Sequence, residues 1–242
     1  MSHFVSFLVP SHPHFLDQNG AHNVPTLGEE LGIHNLVVLI CRFLFKQLHP
    51  DDLHESQFVP LTEYPQFEGC IYTFNSACSR FYSLSDICGI QGMWREYIRS
   101  TSNWRNEDPH QDCVFIRTNP SRNPTENSNS MPSFDVAWVL SFFSFVYDYT
   151  AYPCAVVQWF DKIGNRPNDN TGMWRVCPST LPNWTVHITI VHLDAIYWAT
   201  HLVSVYGRQP ISRNIKPCHS YDAFNMFYVN KYVDHHAFEF AV

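Results

Sequence analysis

The chain has 242 residues, of which 45% are apolar, 16% aromatic and only 15% charged, and its net charge is −7. That is enough chain and apolar content for one large domain or two small ones with a real core, and a surface richer in rings and amides than in charges suits contact with another chain. The negative balance excludes a large nonspecific nucleic-acid footprint, which needs clustered Lys and Arg.

Residues 1–25 hold four His and three Pro without periodicity and are expected to form a mobile leader. A helix over 27–48 is predicted next. Thr26 and Glu29 fit a capping box, and Ile33, Leu36, Val37, Ile40 and Leu44 follow at helical spacing. Pro50 and Asp51 end it. Residues 26–69 thus form helix and connection. Cys70–Ser76 and Ala77–Tyr82 read as extended, the second as a strand or short helix; Gly89–Gly92 reads as a loop. Met93–Arg99 reads as a short helix and Cys113–Thr118 as a strand. The Asn/Ser/Pro-rich stretch 119–132 is expected to be an exposed, mobile loop.

Phe134–Gly207 organises the rest. It breaks into apolar, β-branched and aromatic runs at Val136–Val146, Cys154–Phe160, Met173–Val176, Val186–Leu193 and Leu202–Tyr206, separated by turn residues. Runs of that length are strand signals, and closure into a small barrel removes their exposed edges. Alternation places Val186, Ile188 and Ile190 inward and His187 outward. Asp194 is read as capping a helical turn through Thr200, with a His192–Asp194 hydrogen bond inside the barrel. A last helix over 221–235 is predicted, capped by Ser220, with Tyr221, Phe224, Tyr228 and Tyr232 on its buried face. The fold class is therefore α+β. A small, mostly antiparallel β-barrel over roughly 70–207 is flanked by an N-terminal and a C-terminal helix, with 208–242 as linker and helix packing on the barrel.

Eight cysteines lie without CxxC spacing, so no zinc knuckle or redox motif is expected. The start Met1-Ser-His-Phe4 lacks the basic region of a secretory signal, and no apolar run is long enough to span a membrane. An intracellular, reducing compartment with free, mostly buried thiols follows, and the sequon Asn183-Trp-Thr185 is then idle. Asp112, Asp135 and Asp194 are scattered acids better explained by caps and turns than by two-metal chemistry. No nucleophile elbow, zincin or phosphate-loop motif occurs. No cofactor, metal or catalytic residue is expected. The candidate binding residues are aromatic: Trp104, Trp138, Tyr147, Tyr152, Trp159 and Trp174 belong to or border the strands. Rings gathered at one barrel rim would attract a methylated lysine by cation–π contact. The alternative is a local DNA contact through Arg95, Arg99, Arg105 and Arg117.

A series of motifs adds a family resemblance. It runs through Phe74-Asn-Ser-Ala77, Ser85-Asp86, Gly92-Met93, Trp104-Arg105, Asp112-Cys-Val-Phe115 and Phe142-Phe-Ser-Phe145. It continues with Tyr152-Pro-Cys-Ala155, Trp159-Phe160, Thr171-Gly-Met-Trp174, His192-Leu-Asp194, Tyr206-Gly207, Tyr228-Val-Asn-Lys-Tyr232 and Asp234-His-His236. Together they resemble the carboxy-terminal region of basidiomycete Plavaka-type (KDZ-like) transposon-derived proteins. That region lies downstream of the transposase core, so the resemblance carries over no phosphodiester chemistry. The strand pattern is also similar to a bromo-adjacent-homology barrel, a chromatin-reading fold. The resemblance implies a noncatalytic protein- or chromatin-binding module, intracellular and nuclear. A DNA-contacting accessory region of a transposase is the alternative.

Overall fold

The computed structural model describes residues 23–50, 60–82, 93–102, 108–117, 134–207, 210–234 and 237–238. The leader up to residue 22, the 119–132 loop, the Gly89–Gly92 loop, and the pair His235 and His236 lie outside them.

The N-terminal apolar stripe forms two helices, α1 (Val24–Glu30) and α2 (Leu36–Leu48), not one. The capping box at Thr26 is not made. Asn23 is the cap instead, its Oδ1 accepting from the Thr26 N–H at 3.0 Å and the Thr26 hydroxyl at 2.8 Å. Pro25 then sits in the first turn, where a missing N–H costs nothing. The break follows from Gly32, at φ +68. Its N–H bonds Glu29 O while Ile33 N–H reaches back to Gly28 O at 2.7 Å. This paired closure ends a helix at a left-handed residue, which glycine adopts without a Cβ clash. Replacing Asn23 by Ala is expected to cost about 1 kcal/mol, read as a lowered urea midpoint with an unchanged slope.

The strands are β1 (Ile71–Phe74), β2 (Ser76–Tyr82), β3 (Met93–Thr101), β4 (His110–Gln111), β5 (Cys113–Arg117), β6 (Phe134–Tyr147) and β7 (Thr150–Lys162). They continue with β8 (Arg175–Pro178), β9 (Ile188–His192), β10 (Ile196–Thr200), β11 (Leu202–Ser204) and β12 (Phe227–Val229). The long β6–β7 hairpin is the spine. Asp148 and Tyr149, at φ 46 and 59, make its two-residue turn. Positive φ at both positions matches the right-handed twist of the flanking strands. The main sheet runs β10-β5-β6-β7-β8-β12-β11, with β1 also on β6 and β9 also on β7. Its two end strands, β10 and β11, are consecutive in the chain and joined by His201 alone. The sheet therefore curls until its edges meet at one corner, giving a mostly antiparallel, nearly closed β-barrel. A second sheet, β2-β3-β4, packs beside it.

Three apolar clusters fill the structure. Phe115, Val136, Trp138, Phe160, Trp174 and Phe227 pack inside the barrel. A register shift between Val139 and Ser141 reverses the alternation of β6. The same face of the ribbon then continues as Phe143 and Phe145, which α1 and α2 cover. Val114, Ala137, Val139, Ala155 and Val157 point the other way, into a cluster with Ala77 of β2 and Ile98 of β3. Burial on both faces is why β6 reads as an almost unbroken apolar run.

Several expectations are corrected. Met93–Arg99 is extended, because every residue from Met93 to Arg99 pairs with β2. The C-terminal helix shrinks to one turn, α3 (Ser220–Ala223), following a 3-10 turn at Pro217–His219. Phe227 fills the barrel at 0% exposure and its strand bonds both β8 and β11, which outweighs the helical spacing of the tyrosines. Leu193–Ala195 forms only a short 3-10 turn, capped by His192 rather than Asp194, and Ile196–Thr200 is a strand on β5. The His192–Asp194 pair is made at 3.4 Å, but Asp194 faces solvent. Among the inward-read residues Ile190 is buried, whereas Val186 is 44% exposed just before β9. His187 is half-buried, with Ser179 Oγ 3.2 Å from its Nδ1, and burial lowers its pKa. No helix among the described residues is long and apolar enough to cross a membrane.

Candidate functional site

The corner where β10 turns into β11 carries a cavity of about 480 Å³, within the roughly 300–1,000 Å³ common for ligand pockets. Three segments meet there: Asp108–Cys113, Thr200–Leu202 and Pro217–Tyr221, with Trp138 from β6. Main-chain bonds hold the first segment in place. Asp112 N–H donates to Arg99 O at 2.9 Å and Val139 N–H to Asp112 O at 3.0 Å.

The acids of the cavity are already engaged. Asp112 accepts from the Arg99 N–H at 2.7 Å and from His110 Nε2 at 3.0 Å. Lys216 donates to Asp108 at 2.8 Å. On the floor, burial pushes both the Tyr221 phenol and the neighbouring Cys113 thiol up, so both stay protonated at neutral pH. Asn230 Nδ2–H donates a hydrogen bond to His201 Nδ1 at 3.1 Å, an arrangement that in the neutral ring puts the hydrogen on Nε2. Trp138, 7% exposed, packs against the Tyr221 ring at 5.2 Å between centroids. Its indole N–H has no acceptor among the described residues.

Of the six rings read as a cage, the five described do not converge. Trp138 and Trp174 share the barrel interior, Tyr147 and Tyr152 border the helix-covered cluster, and Trp159 belongs to the opposite face. Trp104 lies outside the described residues. Nine residues of one strand separate Trp138 from Tyr147, about 30 Å at roughly 3.3 Å per residue. Trp159 spends its N–H on Thr189 at 2.7 Å, and Tyr152 stacks on Phe145 at 5.3 Å.

The arginines are likewise dispersed. Arg117 lies over the Tyr197 ring at 5.6 Å at the far end of β5. Arg99 adjoins Asp112 at the near end. Arg95 lies on β3 opposite Arg80 of β2, and Arg105 falls outside the described residues. Asp112, Asp135 and Asp194 also sit apart, with Asp135 3.8 Å from Lys162.

Of the described rings singled out in the sequence, Trp138 alone lines the cavity. His110, His201, Cys218 and Tyr221 were not anticipated there. One signal was available: His110 and Asp112 stand two apart on extended chain and so share a face. Nothing in local spacing announces that residues near 110, 138, 201 and 220 meet, because closure of the sheet brings them together.

Set against protein-family models, curated proteins and solved structures, the chain matches none. The fold and the site together define a class, a nearly closed α+β barrel with a cavity of mixed polar and apolar lining at its seam.

Proposed function

We propose that this chain is a noncatalytic binding module whose cavity receives a segment of a protein partner, chromatin proteins included. The observation that carries the reading is the seam cavity itself, a recess whose two acids, Asp112 and Asp108, are held by the Arg99 main chain, His110 and Lys216. An open recess with a few fixed polar groups is what orients a bound segment. The order of motifs from Phe74-Asn-Ser-Ala77 to Asp234 supports an origin in a fungal transposon protein, from which a nuclear setting would follow, and the free cysteines of the described residues suit a reducing compartment.

An array of random 12-mers and histone-tail peptides, modified and unmodified, tests the reading. Peptides that bind the wild type are expected to be lost from Cys218→Trp, which fills the cavity from its half-buried wall. Equal binding by both proteins, or no binder at all, overturns it.

A further inference from the structure

We propose, resting on that reading, that the seam cavity takes an extended segment of a partner protein and recognises it through its main chain, as a strand added at the bare edges of Gln111 and Leu202. The cavity lies where a hydrogen-bond ladder breaks off. β10 and β5 pair antiparallel as far as Thr200 opposite Cys113, and there their ladder stops. Past that point the chain from β5 back into β4 lies along β3, with Ser100 opposite Gln111 and Thr101 opposite His110. The chain from β10 on into β11 lies along β12, with Leu202 opposite Val229. Gln111 and Leu202 would be the next pair of the broken ladder, and both line the cavity instead.

Alternation fixes where their polar groups point. In an antiparallel ladder every second residue exchanges hydrogen bonds with its partner, and the residues between turn theirs to the other edge. Asp112 N–H donates to Arg99 O at 2.9 Å and Asp112 O accepts from Val139 N–H at 3.0 Å, so Gln111 turns its main chain away from β3. Asn230 N–H donates to His201 O and Val205 N–H to Met226 O, each at 2.9 Å, so His201, Val203 and Val205 face β12 and Leu202 faces away from it. Ala199 N–H goes to Glu96, so Thr200 is the residue that bonds Cys113, and Leu202, two positions on, turns the same way. The N–H and C=O of Gln111 and Leu202 thus face the gap between the two chains, with no strand partner among the described residues.

The other edge of β10 is closed. There Tyr197 O accepts from Ser79 Oγ at 2.9 Å, and Glu96 meets the Ala199 N–H at 3.1 Å. Main-chain groups without a partner are uncommon inside a fold, and a bare strand edge is what a further strand adds to. The pattern sets the chemistry of the occupant. It is extended, offers N–H and C=O at alternate residues, and carries no proline at the pairing positions. Its residue beside Leu202 turns its side chain to the same face of the sheet. Trp138 and Tyr221 line that side of the cavity, so an apolar residue fits there.

The test follows amide hydrogen exchange, residue by residue, in the whole protein labelled with nitrogen-15. It is run on the free protein and with acetyl-Thr-Val-Thr-Val-Thr-amide at millimolar concentration. In the free protein the Gln111 and Leu202 amides are expected to exchange fast, and those of Asp112 and Val203, already bonded, slowly. The probe is expected to slow Gln111 and Leu202 about tenfold, and its analogue N-methylated at both valines is expected to leave them unchanged. Gln111→Pro removes one edge donor that the β3 ladder does not use. It is expected to weaken array-selected peptides about fivefold, the loss of one net hydrogen bond, whereas Gln111→Ala keeps the N–H and binds like the wild type. Gln111 and Leu202 amides that are already slow in the free protein overturn the proposal. So does exchange that neither the probe nor an array-selected peptide slows, or equal slowing by the N-methylated analogue. A dimer in sedimentation that Gln111→Pro dissolves would put a second copy in the gap and overturns it too. If array peptides are lost from Cys218→Trp yet leave both amides fast, this inference falls while the binding reading stands. If the probe slows both amides and no array peptide binds, the binding reading falls while the edge assignment stands.

Discussion

Raising the pH from 5 to 8 is expected to weaken the fold by about 2–3 kcal/mol, and Glu96→Gln is expected to abolish most of that loss. Glu96 stands on β3 between the two sheets and accepts the Ala199 N–H of β10 at 3.1 Å. Burial pushes its carboxyl from the ordinary 4.5 up to about 7. The Ala199 bond pulls the other way, Asp234 and Asp112 add to the rise, and Arg99 offsets part of it. Because the folded state holds this proton more tightly than the unfolded chain, its stabilising contribution is complete below about pH 4.5 and is lost as pH climbs through about 7. Glutamine keeps a carbonyl for Ala199 and has nothing to ionise. Urea midpoints of both proteins across this window check the claim. The variant should be the more stable at pH 8, with the two converging near pH 5; parallel curves would show that Glu96 is not the titrating group. The residue after Ala199 is Thr200, in the cavity wall, so the same clasp steadies the seam.

Phe145→Ala is expected to cost about 3–5 kcal/mol, a large share of the roughly 5–15 kcal/mol that holds a typical domain. Phe145 is 1% exposed and is where the helices meet the spine. Its ring lies 6.3 Å from Phe43, 4.8 Å from Phe67, 6.0 Å from Phe143 and 5.3 Å from Tyr152. Truncation opens a void that these rigid rings cannot collapse to fill, so the loss exceeds that of transfer alone. Tyr152→Phe is the matched control, since it keeps the stacking and should shift the midpoint little. Thermal or chemical unfolding measures both. A loss under about 1 kcal/mol for Phe145→Ala would mean that α2 is not anchored on the ribbon as described.

Much of the architecture was legible in local pattern. The runs of β-branched and aromatic residues from Val136 to Tyr206 announced strands. These signals are local, since alternation and turn chemistry act within a few residues. Where two local signals competed, the outcome was decided elsewhere. Tyr221, Phe224, Tyr228 and Tyr232 have helical spacing, yet Phe227 and Val229 are needed to fill and hydrogen-bond the barrel. Ile33 and Leu36 continue one stripe, yet Gly32 breaks the helix between α1 and α2.

The site divides along the same line. By itself the amino-acid sequence determined the class of fold, a helix-flanked barrel of short antiparallel strands, and it marked Trp138 as a ring worth attention. Only the tertiary structure decided that the cage rings point into separate clusters, and that His110, Asp112, Trp138, His201 and Tyr221 wall one cavity. The reason is physical: strand identity is written in neighbours two residues apart, whereas a cavity at a closing seam depends on contacts between segments up to about a hundred positions apart, which no local period records.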